Sequence, residues 1–370
     1  MLSTSMLMPD SALAAGVKCD AWPAWQRFKL LYMSQDGRVI DASTDAQIST
    51  SEGQAYGLFF ALVSNDRPAF DLLLRWTHDN LAGGRLDQQL PAWQWGRAPD
   101  GNWRVLDKNS ASDADLWMAY TLGEAARLWN ESRYATLGAE LARNILREEV
   151  ATVPGLGTAL LPGPQGFVTQ ESWRLNPSYL TLPLFHGLAR QNKEPLWTEI
   201  AKSSEQVILG AAPKGFAGDW IEFTRGGFMA DRRSRGVGSY DAIRVYLWAG
   251  MLPASDPVRG KLMQALKPML ESVAKRGMPV ETVDTQTGEL GGDGPPGFSA
   301  ALLPMLANAH MSAALQAHRQ RAADAAFQNN HNYYSDALTL FGLGWLEQRY
   351  KFNRTGLLNV RWTPACDRPH

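Results

Sequence analysis

The sequence predicts an all-α protein in which helical hairpins close into an (α/α) barrel, with long loops building a groove on one rim. Three observations predict it. Helical periodicity dominates the 370 residues and strand-like alternation is scarce. The helical segments fall into pairs joined by links as short as Ser64-Asn65-Asp66 and Asn130-Glu131-Ser132, while long Gly-, Pro- and Trp-rich stretches at 81–111, 150–177, 210–238 and 276–297 separate many of the pairs. Polar or acidic helix starts recur at Glu52, Asp113, Ser178, Asp241, Ser299 and Asp336. The earlier intervals are about 60 residues, one hairpin plus one long loop. A ring of hairpins brings these starts to one end and puts the long loops on the same rim. A helical solenoid is the competing arrangement, but its loops are usually shorter and its unit more regular.

Twelve helices are expected in order. The first covers 21–33. The pair 52–64 and 66–80 follows, with the apolar run 57–63 in its first member. Next come 113–129, richly apolar over 116–122, and 132–149, where apolar residues from Leu137 to Leu146 recur at three- and four-residue spacing against a polar face. The segments 178–191 and 194–209 form another pair. Segment 240–251 is followed by 256–275, amphipathic from Val258 to Val273, then by 298–308 and 311–326. The last, 335–350, carries the apolar run 338–345.

Composition excludes several function classes. Lys and Arg total 36 against 37 Asp and Glu, so the net charge of −1 lacks the basic surplus that a nucleic-acid or anionic-membrane binder needs. At 45% hydrophobic residues the chain has ample material for a core, and no apolar run reaches the length of about 18 residues that a transmembrane helix requires. Two Cys and six His are too few and too dispersed for a zinc or disulfide scaffold, so no metal or cofactor is expected. There is no Gly-x-Ser-x-Gly elbow, P-loop or His-Glu-x-x-His. Residues 1–18 end in the small-x-small pattern Ala12-Leu13-Ala14 and are read as the remnant of an export signal, a merely disordered N-terminus being the alternative. Residues 19–370 are read as one domain. In an exported protein Cys19 and Cys366, one near each end, could close a disulfide; in a cytosolic one they would stay thiols.

Three acidic helix starts stand out: Ser51-Glu52-Gly53-Gln54-Ala55-Tyr56-Gly57, Ser112-Asp113-Ala114-Asp115, and Ser239-Tyr240-Asp241-Ala242-Ile243-Arg244. Each is expected to place a carboxylate in the first turn of an apolar helix. Ser49-x-x-Glu52 also fits a capping box, and Ser112 a helix N-cap with Asp115 in the third helical position. Caps alone do not require Gly53 and Gly57, which cost about 1 kcal/mol each inside a helix, so something must approach that helix closely. Glycoside hydrolysis requires two carboxyl groups in different environments, one protonated and one ionised. Glu52, beside Gly, Tyr56 and apolar residues, fits the acid. Asp241 fits the ionised partner, because Arg244 lies three residues on and so on the same helix face; the pair could equally be an ordinary intrahelical ion pair. Asp113 is a third acid able to grip a hydroxyl or orient water. Trp93, Trp95, Trp103, Trp173 and Trp220, in loop-like surroundings, suit stacking on the apolar faces of pyranose rings.

At these residues the sequence resembles glycoside hydrolase family 8, and within it the endoglucanases encoded with bacterial cellulose synthases. The likeness runs from Cys19 to Cys366. Ala111-Ser112-Asp113-Ala114-Asp115-x-x-Met118-Ala119, with Ala125 and Trp129, matches the family's signature helix, although Thr121 stands where Ser or Ala is usual. Ala92-Trp93-x-Trp95-Gly96, Asn176-Pro177-Ser178-Tyr179 and Gly215-Phe216-x-x-Asp219-Trp220 are similar to subsite-forming stretches. The resemblance implies an (α/α)6 barrel that cleaves internal β-1,4-glucosidic bonds of cellulose with inversion. It implies Glu52 as proton donor and Asp241 as general base; the signature Asp, here Asp113, has been described in the family as a nucleophile, but inversion forms no glycosyl-enzyme bond, so Asp113 is assigned to binding and distorting the sugar. The substrate-binding set it implies is Tyr56, Trp93, Trp95, Asp115, Trp173, Tyr179, Tyr240 and Arg244. It further implies a periplasmic or secreted enzyme acting on a β-1,4-glucan chain, with the cellulose synthase secretion complex as a partner. Xylan or chitosan as substrate, and a non-catalytic glucan-binding assembly factor, are the alternatives.

Overall fold

The computed structural model describes residues 21–327 and 332–362. Among them lie thirteen α-helices: α1 (Pro23–Tyr32), α2 (Ser51–Val63), α3 (Arg67–Trp76), α4 (Ser112–Trp129), α5 (Ser132–Glu148), α6 (Leu182–Asn192), α7 (Leu196–Gly210), α8 (Ile243–Met251), α9 (Arg259–Ala265), α10 (Lys267–Arg276), α11 (Pro296–Asn308), α12 (Ser312–Phe327) and α13 (Tyr333–Leu346). The expected helix at 256–275 is two, because Pro268 has no N–H to continue the ladder and the chain restarts at Lys267.

Helices alternate between an inner and an outer ring. Helices α2, α4, α8, α11 and α13 are buried almost all round, as apolar runs without a polar face require, and α6 sits with them. Helices α3 and α5 bury one stripe each, Phe70 and Leu73 on α3 and Tyr134, Leu141 and Ile145 on α5. Each inner helix packs against an outer one, α2 with α3, α4 with α5, α6 with α7, α8 with α9, α11 with α12. The chain opens on an outer helix and closes on an inner one, so α1 packs against α13 and completes the sixth hairpin. This is the (α/α)6 barrel. Its axis is filled with rings from four inner helices: Phe60 lies 4.6 Å from Phe341, Phe59 4.8 Å from Trp117, and Trp248 5.3 Å from Trp117.

Alternation sets where the loops go. Every inner-to-outer link is short, such as Ser64–Asp66, while every outer-to-inner link that is fully described is long. All inner helices therefore start at one end, and the long loops gather there. Those loops contain short strands that period-2 patterning did not reveal. Strand Gln94–Arg97 pairs with Trp103–Asp107 and with Ser49–Thr50, and Ile221–Thr224 pairs with Ser172–Leu175 and Gly227–Ala230. Strands of two to five residues show too little alternation to register in a sequence. Cys19 and Cys366, and the Ala12-Leu13-Ala14 pattern, lie outside the described residues. No described helix is long and apolar enough to cross a membrane.

Candidate active site

Three of the inner-helix starts converge on one guanidinium. Arg244 is the second residue of α8 and its side chain is 3% exposed. Its Nη1 donates to Glu52 Oε2 from the second position of α2, to Asp113 Oδ2 at 3.2 Å from the second position of α4, and to the Tyr56 hydroxyl at 3.2 Å. Its Nη2 donates to Asp241 Oδ1 at 2.7 Å and to Ser178 Oγ at 3.1 Å. The expected i,i+3 pair of Asp241 and Arg244 thus forms, and the same side chain also bridges the other two acids. Asp241 lies in the turn before α8 rather than in its first turn, since the chain becomes helical at Ile243.

Exposure separates the three acids. The Glu52 and Asp241 side chains are 22% and 32% exposed, whereas that of Asp113 is 5% exposed. Burial raises the Glu52 carboxyl above its ordinary range, Arg244 pulls it back, and the Asp241 charge adds to the rise. Burial, opposed by Arg244 and helped by Glu52, pushes Asp113 up to about 7. One guanidinium beside three carboxylates leaves the group net negative, which together with burial favours a retained proton on the raised Glu52 and Asp113.

Three side chains that sequence reasoning missed as supports hold this geometry. Asn176 Nδ2 donates to Asp241 Oδ2 at 3.2 Å, and its Oδ1 accepts from the Ser178 N–H and hydroxyl. Asp219 accepts from Ser239 N at 2.7 Å, Ser239 Oγ at 2.6 Å and Ala242 N at 2.8 Å, which fixes the turn that carries Asp241. Their signal was present: each falls in a stretch singled out as subsite-like.

Other expected residues are placed differently. Asp115 is fully buried and faces Glu149, so it cannot touch a sugar. Two residues beyond Asp113 on a helix is about 200° of rotation, which turns it away from the groove. Tyr56 is buried beneath Arg244 and supports the guanidinium rather than a ligand. Ser49 and Ser112 do not cap: Thr50 Oγ1 accepts from Gly53 N at 3.0 Å, Ser49 Oγ donates to Val39 O, and the residue preceding α4 is Ala111. The close approach at these glycines comes from the protein itself: a Cβ at Gly53 would lie 2.8 Å from the Tyr333 hydroxyl, while one at Gly57 would meet only the Leu73 methyls, at 3.1 Å. Ser299 faces His318 and Arg321 of α12, and Asp336 accepts from the Tyr32 hydroxyl, so neither helix start joins the acid group.

Aromatic rings flank the acids. Tyr179 lies with its ring 5.7 Å from the Arg244 guanidinium, and Trp220, parallel to Phe167, is 6.1 Å beyond it. Tyr240 is exposed, donates to Glu281 Oε1 at 3.0 Å, and its carbonyl accepts from the Tyr334 hydroxyl. Trp93 is half-buried, and its carbonyl accepts from Ser51 N beside Glu52. Trp95 is engaged by Trp76, Trp103 and Arg38, so Trp103, 44% exposed, is the open ring of that cluster. Trp173 is half-buried on its strand opposite Phe223. Among the described residues, no cluster of His, Cys, Asp and Glu is arranged to hold a metal ion.

Comparison with known proteins identifies the family. The family model described as glycosyl hydrolases family 8 matches residues 2–348. An endoglucanase of Escherichia coli O157:H7 is 47% identical over 370 residues, covering 100% of this chain and 98% of the relative. An endoglucanase of Xanthomonas axonopodis pv. citri (strain 306) is 47% identical over 369 residues, covering 99% and 96%. The crystal structure of an endo-1,4-D-glucanase from Vibrio fischeri ES114 superposes with a TM-score of 0.86 at 44% identity, over 92% of this chain and 99% of that one.

Proposed function

The chain belongs to family 8 of the glycosyl hydrolases and is a glycoside hydrolase of the endo-1,4-glucanase type, and we propose that it cleaves internal β-1,4-glucosidic bonds of cellulose with inversion at the anomeric carbon. The observation that carries this reading is the single guanidinium shared by Glu52, Asp113 and Asp241. Glu52, its carboxyl raised by burial, gives its proton to the glycosidic oxygen as the bond to the anomeric carbon breaks. Asp241 takes a proton from a water whose oxygen bonds that carbon from the opposite face. Arg244 and Asn176 aim donors at both oxygens of Asp241, which orients it for that task. Asp113 binds and distorts the sugar at the cleavage site, and Tyr179 and Tyr240 supply stacking surface; Trp220 is itself covered by the Arg174 guanidinium, 3.6 Å from its ring. We further propose that the enzyme is periplasmic or secreted and acts beside a bacterial cellulose synthase complex. The Ala12-Leu13-Ala14 pattern and the likeness to endoglucanases encoded with such synthases support that reading.

The test is proton NMR of the anomers released from cellopentaose, with Glu52→Gln and Asp241→Asn as controls. Initial α-anomer, lost in both variants, is the expected result. Initial β-anomer would mean retention and return Asp113 as a candidate nucleophile. Activity on xylan or chitosan alone would change the substrate. No activity on any of them would leave a glucan-binding assembly factor.

A further inference from the structure

Asp115 and Glu149 stand behind the acid group, outside the groove. Asp115 lies in the first turn of α4, two residues from Asp113, and Glu149 is the residue that ends α5. Because α4 and α5 form one hairpin, the start of the first meets the end of the second. Both side chains are fully buried, and each shifts the other's carboxyl as a side-chain hydrogen-bond partner. Ser110 Oγ donates to Glu149 Oε1 at 2.5 Å, while Glu149 Oε2 and both Asp115 oxygens meet no other donor. The charges that act on the pair most strongly are Asp113 on α4 and Glu148 on α5, acids both.

Two buried carboxylates without a cation cannot both be ionised, and an unpaired buried oxygen is costly unless a proton bridges it. Resting on the active-site reading above, we propose that Asp115 and Glu149 form a proton-sharing carboxyl pair that ties α4 to α5 and so positions Asp113 against Arg244. The pair is a positioning device: it touches no substrate, and it acts by fixing the first turn from which Asp113 projects. Burial pushes Glu149 up to about 8 and Asp115 well above the usual carboxyl range, in keeping with a retained proton.

The experiment compares Glu149→Gln, Glu149→Ala and Asp115→Ala for activity on carboxymethylcellulose and for melting temperature against pH. Gln keeps both a donor and an acceptor, so Glu149→Gln should retain most of kcat. The alanine variants should remain folded by circular dichroism and lose kcat about tenfold to a hundredfold with little change in KM. Glu149 has a folded-state pKa above its unfolded one, so its contribution is present at low pH and is lost as pH rises through about 8. The wild type should therefore lose more stability than Glu149→Gln between about pH 6 and pH 9. Alanine variants with wild-type kcat would overturn the positioning role. An equal pH slope in wild type and Glu149→Gln would overturn the shared proton. A wild type inactive on every glucan would sink the active-site reading, while the slope comparison would still decide the pair.

Discussion

Arg244 is the side chain with most at stake. Replacing it by Ala leaves Glu52 and Asp113 close together without their cation, so both carboxyls rise further and protonate. Removing one partner of a buried ion pair costs about 3–5 kcal/mol, and urea unfolding of Arg244→Ala should show a loss of that order. Arg244→Lys keeps the charge but replaces a planar fork by one nitrogen, which cannot span Glu52 and Asp241 together. It should recover stability in part while kcat stays down by about a hundredfold. Asp113→Asn should lower turnover strongly, and intact-protein mass spectrometry with a slow substrate should find no glycosyl ester on the wild-type Asp113. The three acids were legible because each lies at or just before the start of an apolar helix, a local pattern. Arg244 as their common partner was not, since the pattern showed only its i,i+3 neighbour.

At the scale of elements, close helix packing decides which substitutions are tolerated. A Cβ on Gly342 of α13 would lie 1.9 Å from the Ala300 carbonyl oxygen of α11, a backbone atom that cannot rotate away. Gly342→Ala should therefore lower stability by about 1–3 kcal/mol or more, as overpacking does. At Gly57 the nearest atoms are the methyls of Leu73, which can change rotamer, so Gly57→Ala should be close to neutral in thermal melts. Thr50→Ala should cost about 1 kcal/mol through the lost cap on Gly53, a contribution that the sequence pattern had assigned to Ser49. The helices were readable from their periodicity. Pro268 dividing α9 from α10, and strands of two to five residues in the rim loops, were lost among neighbours of helical or loop-like composition.

For the whole molecule, the pattern of buried acids sets a pH dependence. Asp113 at about 7 and Glu149 at about 8 are raised above their unfolded values, as are Glu52 and Asp115. Each contributes stability that is complete below the unfolded pKa and is lost as pH rises through the folded one. Lys351, lowered to about 7 by burial, acts in the opposite sense. His186 and His318, lowered by burial, act in the same sense as Lys351 but below their ordinary range near pH 6.5; between about pH 6 and pH 9 Asp113 and Glu149 together outweigh Lys351, so the melting temperature should decline. The ring itself closes through α1 and α13, where the Tyr32 hydroxyl donates to Asp336 at 2.5 Å and Phe28 packs 6.1 Å from Tyr333. Tyr32→Phe should cost about 1 kcal/mol at this junction.

Helix number to within one, the hairpin pairing, the barrel and the three acids with their motifs were all determined by the sequence alone. The helices and the acids rest on relations between residues a few positions apart, and the barrel on the recurrence of their starts about 60 residues apart. Only the tertiary structure decided that one guanidinium joins Glu52 and Asp113, 192 and 131 positions before it in the chain. It also turned Asp115 into the wall and Tyr56 beneath Arg244, and it gave Gly53 its reason in the Tyr333 hydroxyl. These outcomes depend on which helix faces lie against each other once the ring has closed. A side chain's partner across a barrel is set by that packing, and local periodicity holds no record of it.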